Sequence, residues 1–486
     1  MLFSSFEFIL LFLPITLIGY YCFAKISVKA SNIYLLLCSF FFYGYWNIAF
    51  LPLLLFSILI NYFAGIFIST FKTKKLIFIA AVCINVFLLC YFKYTDFFIS
   101  GINRVFLTNL SALRIVLPLG ISFYTFQAIS YIADVYLGKT QAEKSILNLA
   151  LYISLFPQLI AGPIVDHKMM IPQFESKENH MANFENLSFG FTLFAFALLK
   201  KIVIADRLSF VAQDVFSRAQ SLSMTDAWAG VLAYTLQLYF DFSAYSEMAF
   251  ALGKMLNITF PKNFDSPYQS NSIIDFWRRW HITLGSWIRN YIYIQLGGNR
   301  KGFARKMLNL FIAMTICGFW HGAGMQFILW GMLHGALLVI NNCFQKTNIV
   351  LPSLLCRFLT FISVMALWIL FRAASISDAV SIFRSLFDFH NFWIVNSVSP
   401  FTKIGLFKKL ITVNNSYVRS FSLFKALAMI FPLLFIVHFA PNAQKIVSEH
   451  FKINKFWLFL SIIMMITALF ALFIQKNQAE FLYFQF

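Results

Sequence analysis

The residues able to do chemistry in this chain are histidines, arginines and tryptophans set in strongly apolar sequence. The densest group is Asp275-Phe-Trp-Arg-Arg-Trp-His-Ile-Thr-Leu-Gly-Ser-Trp-Ile-Arg289, where Trp277, Arg278, Arg279 and Trp280 run up to His281. An imidazole in that setting is a base, a hydrogen-bond donor or the buried partner of a carbonyl. Paired guanidinium groups suit a phosphorylated ligand, because they bind phosphate in a two-pronged way. The same Trp and Arg residues equally suit an interfacial helix anchored among lipid headgroups. About forty residues on comes Cys317-Gly-Phe-Trp-His321-Gly-Ala-Gly, then Trp330-Gly-Met-Leu-His334-Gly. Ionisable groups at membrane depth are costly and mark functional sites by default; the structural alternative for either histidine is a helix–helix hydrogen bond. Gly318, Gly322 and Gly324 let a helix or a ligand come close to the His321 backbone. Three histidines without a nearby carboxylate or cysteine cluster make no case for a metal.

Two further segments place polar groups in apolar runs. Gln237-Leu-Tyr-Phe-Asp241-Phe-Ser-Ala-Tyr-Ser-Glu247 either lines a water-filled cavity or knits helices together. Phe156-Pro-Gln-Leu-Ile-Ala-Gly-Pro163 reads as a turn at a span end. The chain closes on Phe481-Leu-Tyr483-Phe-Gln-Phe486, a Phe-x-Tyr-x-x-Phe tail that would otherwise be an aromatic interface anchor.

The elements that must position these residues are set by composition. Of 486 residues, 60% are hydrophobic and 12% are charged. The charged share is about half that of a soluble domain, which excludes a soluble enzyme and a disordered tail. The 38 Lys and Arg against 19 Asp and Glu give +19. The bases cluster between apolar runs, so anionic lipid, the positive-inside rule and an anionic cofactor explain them, and no nucleic-acid motif does. Seven scattered cysteines imply neither a disulfide framework nor a zinc site. The start from Met1 to Glu7 carries no Lys or Arg and no small-residue cleavage site follows, so no signal peptide is predicted.

Apolar runs predict spans near 8–24, 33–49, 51–70, 76–92, 115–137, 147–161, 187–205, 226–250, 307–321, 325–341, 357–371, 424–440 and 456–475. Some are short, so about ten to twelve crossings are expected. Lys25 and Lys29, then Lys72, Lys74 and Lys75, place those loops in the cytoplasm and the N-terminus outside. Lys445, Lys452 and Lys455 place the tail outside if their loop is also cytoplasmic. From Lys254 to Lys306, nine bases meet two acids, with Trp277, Trp280, Trp287, Tyr291 and Tyr293 among them, which predicts an amphipathic or re-entrant segment at the cytoplasmic face. A second polar stretch, 373–423, reads as an external or interfacial insertion. No internal repeat is visible, against an inverted-repeat transporter.

In order and spacing, Gln237–Glu247, Phe276–Gly298 and Gly318–Gly335, with Phe156–Pro163 upstream, make the chain resemble the membrane-bound O-acyltransferase (MBOAT) family. The resemblance is to its bacterial branch, which O-acetylates alginate or peptidoglycan or D-alanylates teichoic acid. It covers most of the chain and is strongest over 234–335. It implies an all-α polytopic fold, one membrane domain over 1–486, with a ring of tilted helices around a thin core, a cytoplasmic funnel and an acceptor opening opposite. It also implies His321 as the central catalytic histidine, His281 as the second polar position, and a less defined part for His334. Tyr483, in the tail 477–486, is implied as an acyl carrier. The expected enzyme takes acetyl groups from cytoplasmic acetyl-CoA, held by Arg278, Arg279, Trp277 and Trp280, without a metal. It sits in the bacterial inner membrane and passes them through Tyr483 to a periplasmic SGNH-type transferase acting on a cell-envelope polysaccharide, peptidoglycan being favoured. Alginate or another exopolysaccharide, a different acyl group, a transporter and a non-enzymatic scaffold remain alternatives.

Overall fold

A computed structural model describes residues 1–347, 349–391, 417–475 and 481, with the side chains of 417–425 excepted. All regular structure among these residues is helical, as a chain must be that satisfies its backbone without water. Four long helices open it: α1 (Leu13–Ala24), entered through a π-turn at Glu7–Phe12, then α2 (Val28–Gly44), α3 (Leu51–Thr70) and α4 (Lys74–Phe106). Proline stands in the first turn of α1 and of α3, where its missing N–H costs nothing. Asn61 of α3 and Asn85 of α4 exchange amide hydrogen bonds of 3.2 and 2.9 Å, a polar clasp between two apolar helices. Their outer faces carry exposed Phe63, Phe67 and Phe87, as contact with lipid requires.

The next elements are shorter and enclosed: α5 (Ile121–Tyr136), α6 (Ile146–Ser154), α7 (Phe156–Leu159) and α8 (His167–Glu175). Nearly every residue of α5 and all of α7 is buried. The break between α6 and α7 is tolerated at this depth because protein surrounds it, with Gln158 Nε2 donating to the Tyr152 carbonyl at 2.6 Å. α9 (Phe184–Leu199) and α10 (Asp206–Ser217) form one helical run through a π-turn at Lys200–Ala205. α11 (Met224–Met255) is the central pillar, buried without interruption from Ala233 to Ala249.

The polar stretch after α11 folds inward as α12 (Ile273–Arg279) and α13 (Ile282–Ile288), followed by a third π-turn at Arg289–Tyr293. Then come α14 (Gly302–His321), α15 (Met325–Phe344), α16 (Ser353–Arg372), α17 (Ile376–Ser385), α18 (Tyr417–Phe439), α19 (Ala443–His450) and α20 (Lys455–Ile474). Of the 373–423 stretch, residues 392–416 lie outside the described residues.

Among the described residues, seven helices are long and apolar enough to cross a membrane, or eight if α18 and α19, bent by 52°, count as one. The helices formed by the runs at 115–137, 147–161 and 226–250 are largely enclosed by protein. The runs at 76–92 and 187–205 extend, to Phe106 and to Ser217.

Candidate active site

The site grows from a close crossing of α14 and α15. A Cβ on Gly318 would stand 2.8 Å from the Gly331 Cα and closer still to the Phe327 carbonyl, so the two backbones touch. This contact sets the end of α14 against Trp330 and His334 of α15. Gly318→Val is expected to wedge the pair apart, at about 1–3 kcal/mol or more. A lowered thermal midpoint in detergent checks it.

His321 is the last residue of α14 and is buried. The rings of Trp320, Trp330 and Phe371 stand 4.7, 5.1 and 5.1 Å from its own. A helix end leaves carbonyls unpaired and slightly negative. Here α4 supplies their partners: half-buried Lys93 donates to the carbonyls of Trp320 (2.6 Å) and His321 (3.0 Å), and Tyr94 donates to that of Phe319 (2.7 Å). Lys93 and His321 each lie nineteen residues from the start of their helices (93 − 74 and 321 − 302), about 28 Å along the axis. The hydrogen bonds from Lys93 bring the two side by side. Sequence reading passed over Lys93 because it falls just past the 76–92 run and looks like a span end. The signal was present: one ammonium in the apolar stretch from Val82 to Phe98. Lys93→Met is expected to lower kcat about tenfold to a hundredfold by loosening His321, with the donor KM unchanged. Steady-state kinetics on Lys93→Met and wild type separates the two constants.

His281 opens α13 with φ of +43°, a left-handed conformation that breaks α12 from α13 and turns the imidazole inward. Its Nδ1 lies 3.1 Å from Asn263 Oδ1. The backbone N–H of Thr283 also points at Asn263 Oδ1 (3.3 Å), and Asn263 Nδ2 donates to Ser246 of α11. A backbone N–H can only donate, so Oδ1 is the acceptor and His281 Nδ1 carries the proton. The neutral ring then offers Nε2 as an acceptor. His334 is in the opposite tautomer. Trp277 Nε1, which can only donate, points at its Nδ1 (3.3 Å), so Nε2 bears the proton. Lys93, His281 and His334 all lie within electrostatic reach of His321.

A cavity of about 640 Å³ runs beside this cluster, with Cys317 but none of the three histidines in its wall. Exposed Arg278 and Arg289 stand at its mouth, Trp277 and Met314 form its wall, and buried Cys317, one helical turn before His321, lies at its depth. The four residues of the Trp-Arg-Arg-Trp group therefore part company. Trp277 and Arg278 line the cavity, whereas Arg279 Nε faces both carboxylate oxygens of Asp275 at 3.1 Å and Trp280 is buried against Phe264 and Trp368. No group of three His, Cys, Asp or Glu that could hold a metal ion occurs among the described residues.

On the other side of His281 the polar segment of α11 knits helices. The π-turn brings Lys201 Nζ to Asp206 Oδ1 (2.8 Å) and Asp241 Oδ1 (2.7 Å), and Lys200 Nζ to Glu247 Oε2 (2.6 Å) and Ser243 Oγ (3.0 Å). Beside this network the tail returns. Phe481 is buried and stacks on Tyr245 at 4.6 Å, while Phe3 stacks on the same ring at 4.8 Å. Phe242, which Phe481 also touches, stands edge-on to His281 at 4.7 Å. Tyr483 lies outside the described residues.

Set beside known proteins, this helical membrane chain is an acyltransferase of the membrane. Residues 142–377 match the model of the MBOAT, membrane-bound O-acyltransferase, family. The chain is 40% identical over 420 residues to the peptidoglycan O-acetyltransferase of Helicobacter pylori, covering 79% of this chain and 80% of that one. It is 38% identical over 417 residues to the probable alginate O-acetylase of Pseudomonas aeruginosa (84% and 78%), and 25% identical over 237 residues to the teichoic acid D-alanyltransferase of Bacillus subtilis (47% and 60%). The chain belongs to the membrane-bound O-acyltransferase family.

Proposed function

We propose that this protein moves acetyl groups from cytoplasmic acetyl-CoA across the inner membrane, through Tyr483, to a periplasmic SGNH-type transferase that O-acetylates a cell-envelope polysaccharide. The observation that carries the reading is the cavity with two exposed guanidinium groups at its mouth and Cys317, a turn from His321, at its depth. Phosphates of coenzyme A cannot cross a bilayer, but they can stay at Arg278 and Arg289 while a narrow thioester arm reaches inward. Arg279 and Trp280 then support the wall from behind rather than touch the donor.

His321 accepts the Tyr483 phenol proton as the phenol oxygen attacks the thioester carbonyl. The C–S bond breaks, and the leaving thiolate takes the proton back from His321. A phenol, with a pKa of about 10, is close to a thiol at about 8.5, so an aryl ester keeps more transfer potential than a serine ester. His281, in the tautomer that offers Nε2 as an acceptor, suits positioning a hydroxyl better than donating to an oxyanion. His334 holds Trp277 in the cavity wall. The docking of Phe481 against Tyr245, two residues before Tyr483, supports a tail that visits this site.

The test is mass spectrometry of the C-terminal peptide after incubation with acetyl-CoA. Acetyl on Tyr483 is expected in wild type and absent in His321→Ala and Tyr483→Phe. Partner acetylation unimpaired in Tyr483→Phe would reduce the tail to an anchor. Peptidoglycan is the favoured acceptor, following the Helicobacter relative. Loss of O-acetyl from exopolysaccharide, with muropeptides unchanged, in His321→Ala cells would move the assignment to an alginate-like polymer, following the Pseudomonas relatives.

A further inference from the structure

A second cavity, of about 890 Å³, opens where α3 passes into α4 and α5 leaves the bundle. Lys74, Lys139, Lys144 and Lys168 line it, and no carboxylate does. Lys139 is already engaged: its Nζ lies 3.2 Å from Asp134 Oδ1 and 5.4 Å from the centre of the Tyr291 ring. Tyr291 in turn donates to Asp134 Oδ2 at 2.9 Å; burial and the adjacent Asp134 raise its phenol above the ordinary range, so it stays a donor. Lys74, Lys144 and Lys168 are exposed and have no ion-pair partner among the described residues. The hydroxyls of Ser69 and Thr70 donate to carbonyls of their own helix, so the charged donors of the wall are the ammonium groups, with the Gln141 amide beside them. The nearby carboxylates, Asp134, Glu143 and Asp166, lie outside the wall, and cations that converge on one space repel one another unless an anion joins them.

The surroundings say which anion. The α3–α4 turn also carries Lys72 and Lys75, the mark of the cytoplasmic boundary, where anionic lipids lie. Exposed Phe67, Phe71 and Leu76 flank the cavity with apolar surface of the kind that meets acyl chains. Lysines act as point charges and need no fixed approach, which fits the phosphodiester of a mobile headgroup. We propose that this cavity binds the phosphate of an anionic lipid headgroup, held by Lys74, Lys144 and Lys168.

The experiment is native mass spectrometry of the full chain released from nanodiscs of mixed phosphatidylethanolamine and phosphatidylglycerol. Wild type should retain phosphatidylglycerol preferentially. The triple variant Lys74→Gln, Lys144→Gln, Lys168→Gln should lose at least about tenfold of that preference, given the strength of lysine–headgroup attraction. A remote triple, Lys445→Gln, Lys452→Gln, Lys455→Gln, should keep it. Equal loss in both variants means general surface charge and overturns the site, as does full retention in the first. Amine-reactive labelling of the wild-type chain gives a second reading that needs no variant: Lys144 should be protected in phosphatidylglycerol discs and not in phosphatidylethanolamine discs. If millimolar inorganic phosphate displaces the lipid and protects Lys144 equally in both discs, the ligand is a soluble phosphate and the lipid assignment fails.

Discussion

Replacing His321 by alanine is expected to lower acetyl transfer by about 10²–10⁴-fold, the range for removing a positioned proton acceptor. The protein should remain folded. The imidazole packs against the rings of Trp320, Trp330 and Phe371, and the backbone carbonyl that accepts from Lys93 is retained by alanine. Lys93 keeps both of its acceptors, and the Gly318–Gly331 crossing is a turn away. The check is to measure transfer and thermal midpoint on the same preparation. A large loss of transfer with a midpoint near wild type assigns His321 to chemistry. Transfer at the wild-type rate would leave a scaffold that recruits the acetylation machinery.

Replacing Lys201 by methionine is expected to give the largest loss of stability, about 3–5 kcal/mol. Lys201 sits between two buried carboxylates, Asp206 and Asp241. Without the ammonium they face each other in a medium that does not solvate them, and each must take up a proton or draw in water. Lys200→Met strands one carboxylate, Glu247, and should cost less. Adding Asp206→Asn and Asp241→Asn to Lys201→Met should recover most of the loss, because neutral amides can bond to each other. Thermal midpoints in detergent for these variants test the ordering. Equal midpoints for Lys201→Met and wild type would mean that the bridge contributes nothing to the fold.

Much of this was legible in the residues, and what was not has physical causes. Periodic apolar runs located the outer helices to within a few residues, as at α3 and α20. They do not tell a helix wrapped in lipid from one wrapped in protein, since both environments select the same side chains, and so the enclosure of α5 and α11 was not visible. That the stretch from 254 to 301 forms short helices rather than one long apolar helix was visible in its excess of charge over what a span allows. Its hinge was not, because His281 takes up a left-handed conformation under the pull of Asn263, eighteen residues upstream. The two tryptophans and two arginines next to His281 read as one group, yet a helix turns adjacent residues to different sides. Trp277 and Arg278 thus face the cavity with Arg289, while Arg279 and Trp280 face away from it. Lys93 and Lys201 were hidden for another reason. Each owes its meaning to a partner far along the chain.

That distance has a bearing on how the protein is made. Lys93 meets its carbonyl 227 residues after its own synthesis, a wait of about 10–50 s at ordinary ribosomal rates. Through that interval α4 stands in the membrane with an ammonium and no acceptor, reaching for the nearest aqueous boundary. Only the arrival of α14 draws it back. Insertion and completion of the site are then separate events, and a nascent chain released before α14 would carry a fourth helix that the quality-control machinery of the membrane could recognise by that one exposed charge.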